Sequence, residues 1–233
     1  WNSVYSNIQN NLYLYVPLLT MGLMSREFSS GSIKLLFSSP LNGVKIVLGK
    51  YLSIIIFSIV MIGGTVLPLI GFTMFKVESA DLGLMLSGLL GIMLLMFAYA
   101  AIGLFMSALT SYQVVAAMLT FAVLALLSNF ASIGQDIEFI RDITYWMSIQ
   151  GRAETFKEGL ITSEGVMYFI IVIFIFLSFS VIKINSGRSK ESLGRMILKY
   201  TSTILVAIFF GFLSSIPKGI LYYDVTQMES NTL

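Results

Sequence analysis

The chain has 233 residues, of which 57% are hydrophobic and only 11% are charged, against roughly 25% charged residues in soluble domains. So much apolar surface cannot be hidden inside a water-soluble fold, which excludes an ordinary soluble domain. The absence of cysteine and histidine excludes disulfides, zinc sites and catalysis by those side chains.

Six apolar stretches predict membrane-spanning helices, because a hydrocarbon core of about 30 Å requires about 20 apolar residues per helix. Backbone groups find no water in lipid, so helices are the expected form. In chain order the predicted spans are Asn11–Met24, Ile54–Phe75, Leu82–Leu109, Val114–Ile133, Val166–Ile184 and Tyr200–Ile216. The first span is short and meets the length only in part. We therefore expect an all-α polytopic membrane protein.

The charges between the predicted spans separate into two sets of loops. One set holds nine Lys or Arg and two acids, whereas the other holds five Lys or Arg and ten acids. The positive-inside rule places the first set in the cytoplasm and the second set outside. The cytoplasmic set is Ser25–Lys50, Thr110–Gln113 and Lys183–Lys199, and the outer set is the N-terminal segment, Lys76–Asp81, Gly134–Glu164 and the tail from Lys218.

The segment Ser25–Tyr51, which we call the elbow, is polar and basic and lies between two apolar stretches. Ser25 is a candidate helix cap, and Ser29-Ser30-Gly31 is expected to break a helix. Ile33–Phe37 predicts one or two helical turns. A polytopic membrane protein has few places to touch a soluble partner, and the elbow is one of them.

The end of the elbow is also marked by turn residues. Ser38-Ser39-Pro40 is expected to stop the short helix, and Asn42-Gly43 makes a turn before a new helix starts at Val44. We therefore predict two short helices, joined by tight turns, at the cytoplasmic interface. A plainer interpretation is an elbow that only redirects the chain.

The predicted spans contain almost no ionisable side chain. Lys50 and Lys183 lie at span edges, where a long side chain can reach the headgroups. Ion-coupled carriers usually bury Asp, Glu or His near the midplane, and a voltage sensor needs stacked Arg. This pattern argues against an ion-coupled carrier or cation channel. It leaves transport driven by another subunit, or a structural role.

Small residues mark the second and third predicted spans. In the second, Gly63, Gly64, Pro68 and Gly71 permit bending. In the third, small side chains allow neighbouring helices to approach closely; they are Ser87, Gly88, Gly91, Ala98, Ala100, Ala101 and Gly103. Ordinary helix packing explains both sets, and a flexible or substrate-lining helix is the alternative.

The nearest match to a nucleotide-binding P-loop runs from Gly43 to Tyr51. Its spacing is one residue too long, and Tyr51 replaces the Ser or Thr that would bind magnesium. The surrounding pattern is a helix that enters the membrane instead of a strand, loop and helix. If ATP is used, another chain binds it.

The stretch Asp136–Glu164 mixes acidic and apolar residues. It predicts amphipathic helices at the outer surface, where Ile140, Trp146 and Phe156 form a candidate outer gate. A solvated extracytoplasmic loop is the alternative. Because Trp1 lies on the outer side in this topology and is not Met, we also expect at least one further helix before Trp1, and more chain after Leu233.

Several residues of the elbow carry a family resemblance: Glu27, Gly31-Ser32-Ile33, Leu35-Leu36, Ser39-Pro40 and Ile46-Val47-Leu48-Gly49-Lys50. In this order they resemble the ABC-2 type permease family. There, an acidic-basic cluster precedes a Gly-Thr/Ser pair, a Leu-Leu pair, Ser/Thr-x-Pro and a Val-Leu-Gly-Lys helix start. Two departures are Lys34, where Glu is common, and a cluster reduced to Arg26-Glu27.

The resemblance implies that the elbow is a coupling element that docks on an ATP-binding subunit. The residues implied at this contact are Arg26, Glu27, Gly31, Ser32, Lys34 and Pro40. It also implies two ATP-binding subunits and a second copy of this chain. ATP and magnesium would be bound by the partner ATPase, and no cofactor by this chain.

Further resemblances extend along the chain. Ile102–Thr110 with Gln113 is similar to the family's Gly-Leu-Phe-x-Ser-x-Leu-Thr-x-x-Gln turn, and Ser148–Ile161 resembles the external segment before its last helix. The resemblance covers roughly Leu18–Ile184, with the first family helix before Trp1. Asp224-Val225-Thr226 and the final Thr-Leu resemble the start of the gliding-motility-associated auxiliary protein; an ordinary outward tail is the alternative.

These observations divide the chain into a permease domain over 1–184, a basic cytoplasmic linker over 185–199, and an extra span with the start of an extracytoplasmic domain over 200–233. The expected function is the membrane permease subunit of an ATP-driven exporter or mechanotransmitting complex in the bacterial inner membrane, with the C-terminal end outside. Membrane lipid and other envelope proteins are expected partners, and nucleic acid is not. The alternative from another class is a non-transporting anchor for the extracytoplasmic domain.

Overall fold

A computed structural model describes residues 2–39, 41–76, 82–129, 149–188, 193–215 and 222–224. Nearly all of them are helical, as expected for an all-α membrane protein. In chain order the elements are α1 (Asn2–Thr20), α2 (Gly22–Ser30), α3 (Ile33–Ser38), α4 (Gly43–Lys76), α5 (Leu82–Leu109), α6 (Gln113–Asn129), α7 (Ile149–Lys157), β1 (Leu160–Thr162), α8 (Ser163–Arg188), α9 (Leu193–Ser215) and β2 (Tyr222–Asp224).

Within these ranges, four helices are long and apolar enough to cross a membrane: α4, α5, α8 and the Gly194–Gly211 part of α9. They confirm the second, third, fifth and sixth predicted spans. The fourth coincides with α6, which has a shorter apolar helix over Gln113–Ser128. The remainder of that prediction, 130–133, lies outside the described residues.

The boundaries of the first predicted span differ from those of α1, which begins at Asn2 and ends at Thr20. A search for continuous apolar residues passes over the first half of this helix because it is rich in Asn and Gln. The buried residues of α1 include Tyr5, Gln9, Leu12, Val16 and Thr20, whose spacing of three to four places them on one face. The helical period therefore indicates α1 better than its mean hydropathy does.

Helix α5 is the centre of the bundle, and α1, α2, α4, α6, α7 and α8 all pack against it. Its glycines lie where other side chains approach most closely. A Cβ atom would overlap the Tyr5 ring at Gly88, Phe156 at Gly91 and Thr20 at Gly103. The close packing predicted from small residues in the third span is confirmed at these positions.

Helix α4 differs from α5 because it is unbroken from Gly43 to Lys76, with Pro68 inside it. Among the described residues, no atom lies within 4 Å of the position that a Cβ would take at Gly64 or Gly71. These two glycines therefore do not mark a close contact between α4 and another described helix. The helix joins the elbow to the opposite end of the bundle as one continuous rod.

Successive long helices run in opposite directions between the two ends of the bundle, as the charge pattern predicts. At one end the Arg188 guanidinium bonds to the Leu41 carbonyl. At the other end the Lys157 ammonium lies 3.4 Å from the Ser6 hydroxyl. There β1 also pairs antiparallel with β2, with Leu160 opposite Asp224. The chain after α9 therefore returns to the end at which α8 begins.

Candidate functional site

The elbow contains the breaks that the sequence predicts. Helix α2 ends at Ser30 and is followed by Gly31, whose φ of 74° is left-handed and therefore favours glycine. Helix α3 ends at Ser38, and α4 begins at Gly43. The expectation for Ser25 is wrong: it lies inside α2, buried, and its hydroxyl donates to the Met21 carbonyl. The helix break falls at Met21 instead, before Ser25.

A small polar cluster holds the elbow in shape. One Glu27 oxygen accepts a hydrogen bond from the Lys50 ammonium at 2.8 Å, and the other accepts one from the Ser32 hydroxyl at 2.6 Å. The carboxylate thus joins α2, the turn before α3 and the first half of α4. The Lys50 and Ser32 bonds lower the pKa of Glu27 below its ordinary value, so the group stays charged at neutral pH.

The outward surface of the elbow is basic and apolar together. Arg26 and Lys34 are exposed, and Leu35 is 73% exposed. Ile33, the residue before Lys34, is buried in the same hydrophobic cluster as Val47 of α4. Since Ile33 fixes one face of α3, the opposite face with Lys34 and Leu35 is free to meet another protein.

Ser107 of α5 fastens the elbow to the centre of the bundle. Its buried hydroxyl accepts hydrogen bonds from the backbone N–H groups of Met24 and Ser25, both at 3.0 Å, and donates to the Met21 carbonyl at 2.8 Å. The first N–H groups of a helix have no partner within it, so Ser107 caps α2 from another helix. The sequence places Ser107 in a turn that resembles the ABC-2 family, but its contact with α2 was not predicted.

The last turn of α8 fastens the other side of the elbow. Arg188 donates to the Leu41 carbonyl at 2.9 Å and to the Ser39 carbonyl at 3.2 Å. A Cβ at Gly43 would overlap the Asn185 amide, so α4 and α8 meet closely there. Sequence reasoning counted Arg188 only as a charge. The position of Arg188 in the basic segment Lys183–Lys199 was the one indication in the sequence that it could have a role near the elbow.

Of the remaining predicted site residues, Phe156 lies within the described part of the chain. Pro40, Ile140 and Trp146 fall outside the described residues. Phe156 is fully buried, and its ring centroid lies 6.3 Å from that of Phe169 on α8. The outer gate stays a prediction. The Phe156 side chain on α7 packs against α5 and α8.

The structure gives no nucleotide-site geometry to the Gly43–Tyr51 segment, because all of it is helical. Among the described residues, no group of three His, Cys, Asp or Glu could hold a metal ion. A different polar feature, Gln9, escaped the sequence reasoning. It is 3% exposed, and its amide makes no hydrogen bond within the described part of the chain.

A model of the ABC-2 family transporter proteins matches residues 14–137, which is just over half of the chain. Comparisons with curated proteins and with solved structures gave no match. The matched range runs from α1 through the elbow, α4, α5 and α6. The chain therefore belongs to the ABC-2 transporter family, and it is a multi-pass membrane permease subunit, not the ATPase. This confirms the family resemblance of the elbow, and an ABC ATP-binding partner follows from the family.

Proposed function

We propose that this ABC-2 family permease receives motion from its ATP-binding partner through the elbow. The observation that supports the proposal is the dual character of this segment. Its inner side is bonded to three helices of the bundle, whereas Arg26, Lys34 and Leu35 face outward. An exposed leucine next to Lys34, with Arg26 exposed on α2, suits a protein contact with an apolar centre and an acidic rim.

The bonds of the elbow define how a push on α3 would travel. The Glu27 carboxylate, with its Lys50 bond of 2.8 Å, joins the α2 part of the elbow to α4. Ser107 joins it to α5, and Arg188 joins it to α8. Because α4 is a single helix of 34 residues, tilting its first turns moves its far end as well. The cluster positions the elbow; it need not touch the partner itself.

The finer features of the proposal come from the elbow resemblance. Two ATP-binding subunits with ATP and magnesium would close beneath two copies of this chain in the bacterial inner membrane. Their closure would drive export or transmit force to an extracytoplasmic part. The resemblance of the tail to the gliding-associated auxiliary protein supports the second use. Residues 225–233, which carry most of that resemblance, lie outside the described residues.

Site-specific crosslinking tests the docking surface directly. The chain contains no cysteine, so a single introduced thiol is unambiguous. Leu35→Cys should crosslink to the ATP-binding subunit in membranes, with a yield that changes when ATP and magnesium are added. Phe75→Cys is the matched control, because Phe75 is a 94% exposed residue at the far end of α4. It should give no such product.

The same experiment separates the proposal from its rival. If detergent-solubilised protein contains no ATP-binding chain, and Leu35→Cys crosslinks no better than Phe75→Cys, the elbow is not a coupling element. A non-transporting anchor for an extracytoplasmic domain would then fit better. The pairing of β2 with β1 at the end where α8 begins is compatible with such an anchor as well.

A further inference from the structure

A groove of about 420 Å³ separates α9 from the beginning of α4, with α8 as its floor. Helix α9 packs on α8, where the Phe179 and Tyr200 rings lie 5.0 Å apart. The walls of the groove are mostly apolar, with Val44 and Leu48 on one side and Phe174 and Val181 on its floor. The groove lies within two turns of the start of α4, at the end of the bundle that contains the elbow.

The mouth of this groove is basic. Lys199 lines it together with Ser202 and Thr203 of α9. Arg195 is exposed one turn before Lys199, at the i−4 position on the same helix face. Lys45, which follows the lining residue Val44 in α4, is also exposed. Cationic side chains of α9 thus lie next to apolar walls at the elbow end of the bundle.

We propose that this groove binds an anionic phospholipid from the leaflet on the elbow side of the membrane. One acyl chain would lie along the apolar walls, and the phosphate would lie at Lys199 and Arg195. Basic pockets between membrane helices bind anionic headgroups in this way. The lipid would bridge α9 to α4, next to the elbow. Its binding does not depend on the proposed coupling function.

The shape and composition of the groove favour a lipid over other occupants. A soluble phosphate would gain nothing from walls such as Leu48 and Phe174. A partner helix is about 10 Å across, so a volume of 420 Å³ would hold only about one of its turns. A single acyl chain with a charged headgroup matches both the narrow apolar walls and the basic mouth.

Lipid titration of the full chain in neutral detergent, followed by native mass spectrometry, tests this site. Phosphatidylglycerol should bind, phosphatidylcholine should bind at least five-fold more weakly, and inorganic phosphate should not compete. Lys199→Ala should weaken phosphatidylglycerol binding about five-fold, the effect of one basic residue near an anionic surface. Lys199→Glu should weaken it further. Lys76→Ala is the charge control, since Lys76 is exposed at the opposite end of α4.

A second variant tests the acyl part of the site. Ser178→Trp should fill the groove and abolish binding, whereas Ile208→Trp, at an exposed position of α9, should leave binding unchanged. Circular dichroism and gel filtration would confirm that each variant folds. If Ser178→Trp does not fold, Leu48→Phe is the second variant that fills the groove. Equal binding of both lipids, equal effects of Lys199→Ala and Lys76→Ala, or competition by phosphate would each overturn the proposal.

Discussion

Ser107 offers the sharpest test of how the elbow is attached to the bundle. Its hydroxyl makes three hydrogen bonds of 2.8 to 3.0 Å to the backbone of Met21, Met24 and Ser25. Ser107→Ala removes all of them without adding volume. The Ser25 N–H can turn to the Met21 carbonyl, four residues before it, as in any α-helix. Met24 is the third residue of α2, so its N–H has no acceptor within that helix.

The expected loss follows from that single orphaned group. A buried N–H without a partner costs about 1–3 kcal/mol, so we expect Ser107→Ala to lower the free energy of unfolding by about 2 kcal/mol. For a chain of this size that corresponds to a fall in Tm of about 4–8 °C. Thermal unfolding in detergent, followed by circular dichroism, measures the change.

Ser53→Ala is the matched control, because Ser53 is exposed and its hydroxyl bonds only to the Lys50 carbonyl of its own helix. Its stability should stay within about 0.5 kcal/mol of the parent chain. Equal stability of Ser107→Ala and Ser53→Ala would refute the reasoning that α5 caps α2. In the complex, Ser107→Ala should also reduce ATP-dependent activity while the ATP-binding subunit still co-purifies.

Three further changes probe other contacts. Since the Lys50 and Ser32 bonds lower the pKa of Glu27, its charge stabilises the fold fully above the ordinary pKa of glutamate. This contribution is lost as the pH falls through the lowered pKa. Tm measured against pH should therefore fall more steeply in acid for the parent chain than for Glu27→Gln. Gly103→Ala places a methyl group against Thr20 and should cost about 1–3 kcal/mol in denaturant unfolding. Gln9→Leu removes a buried amide without a hydrogen bond in the described part of the chain and should raise the unfolding free energy by about 1 kcal/mol.

Each of these changes has its own contrary outcome. Parallel pH profiles for the parent chain and Glu27→Gln would show that the carboxylate does not stabilise the elbow. Gly64→Ala on α4, where no atom of the described residues approaches the added methyl group, should be neutral or mildly stabilising. A cost equal to that of Gly103→Ala would contradict close packing on α5. A loss of stability in Gln9→Leu would mean that the amide is satisfied in the folded protein.

The local turns of the elbow followed from the sequence because they depend on neighbouring residues. Gly31 ends α2 by adopting a left-handed φ, which glycine allows, and α3 stops before Pro40. The contact of Glu27 with Lys50 could not be predicted in this way. Those residues are 23 positions apart and meet only because α2, α3 and α4 fold back on one another.

The bounds of α1 could not be predicted from mean hydropathy. Asn and Gln lower the mean of the first half of that helix, although Tyr5 and Leu12 are buried there. Its position was decided by packing on α5, where the Tyr5 hydroxyl donates to the Met85 carbonyl at 2.5 Å. A face that is buried against protein need not be apolar along its whole length, unlike one that faces lipid.

The sequence by itself determined the membrane class, most of the spans, the alternation of the loops and the polar character of the elbow. These depend on the transfer of side chains and backbone from water to lipid, which each segment undergoes largely by itself. Only the tertiary structure decided that Ser107 and Arg188 hold the elbow, that Glu27 is used internally, and that α9 leaves a basic-mouthed groove beside α4. Those features depend on side chains from distant segments meeting in space, and the spacing of residues along one helix does not specify that meeting.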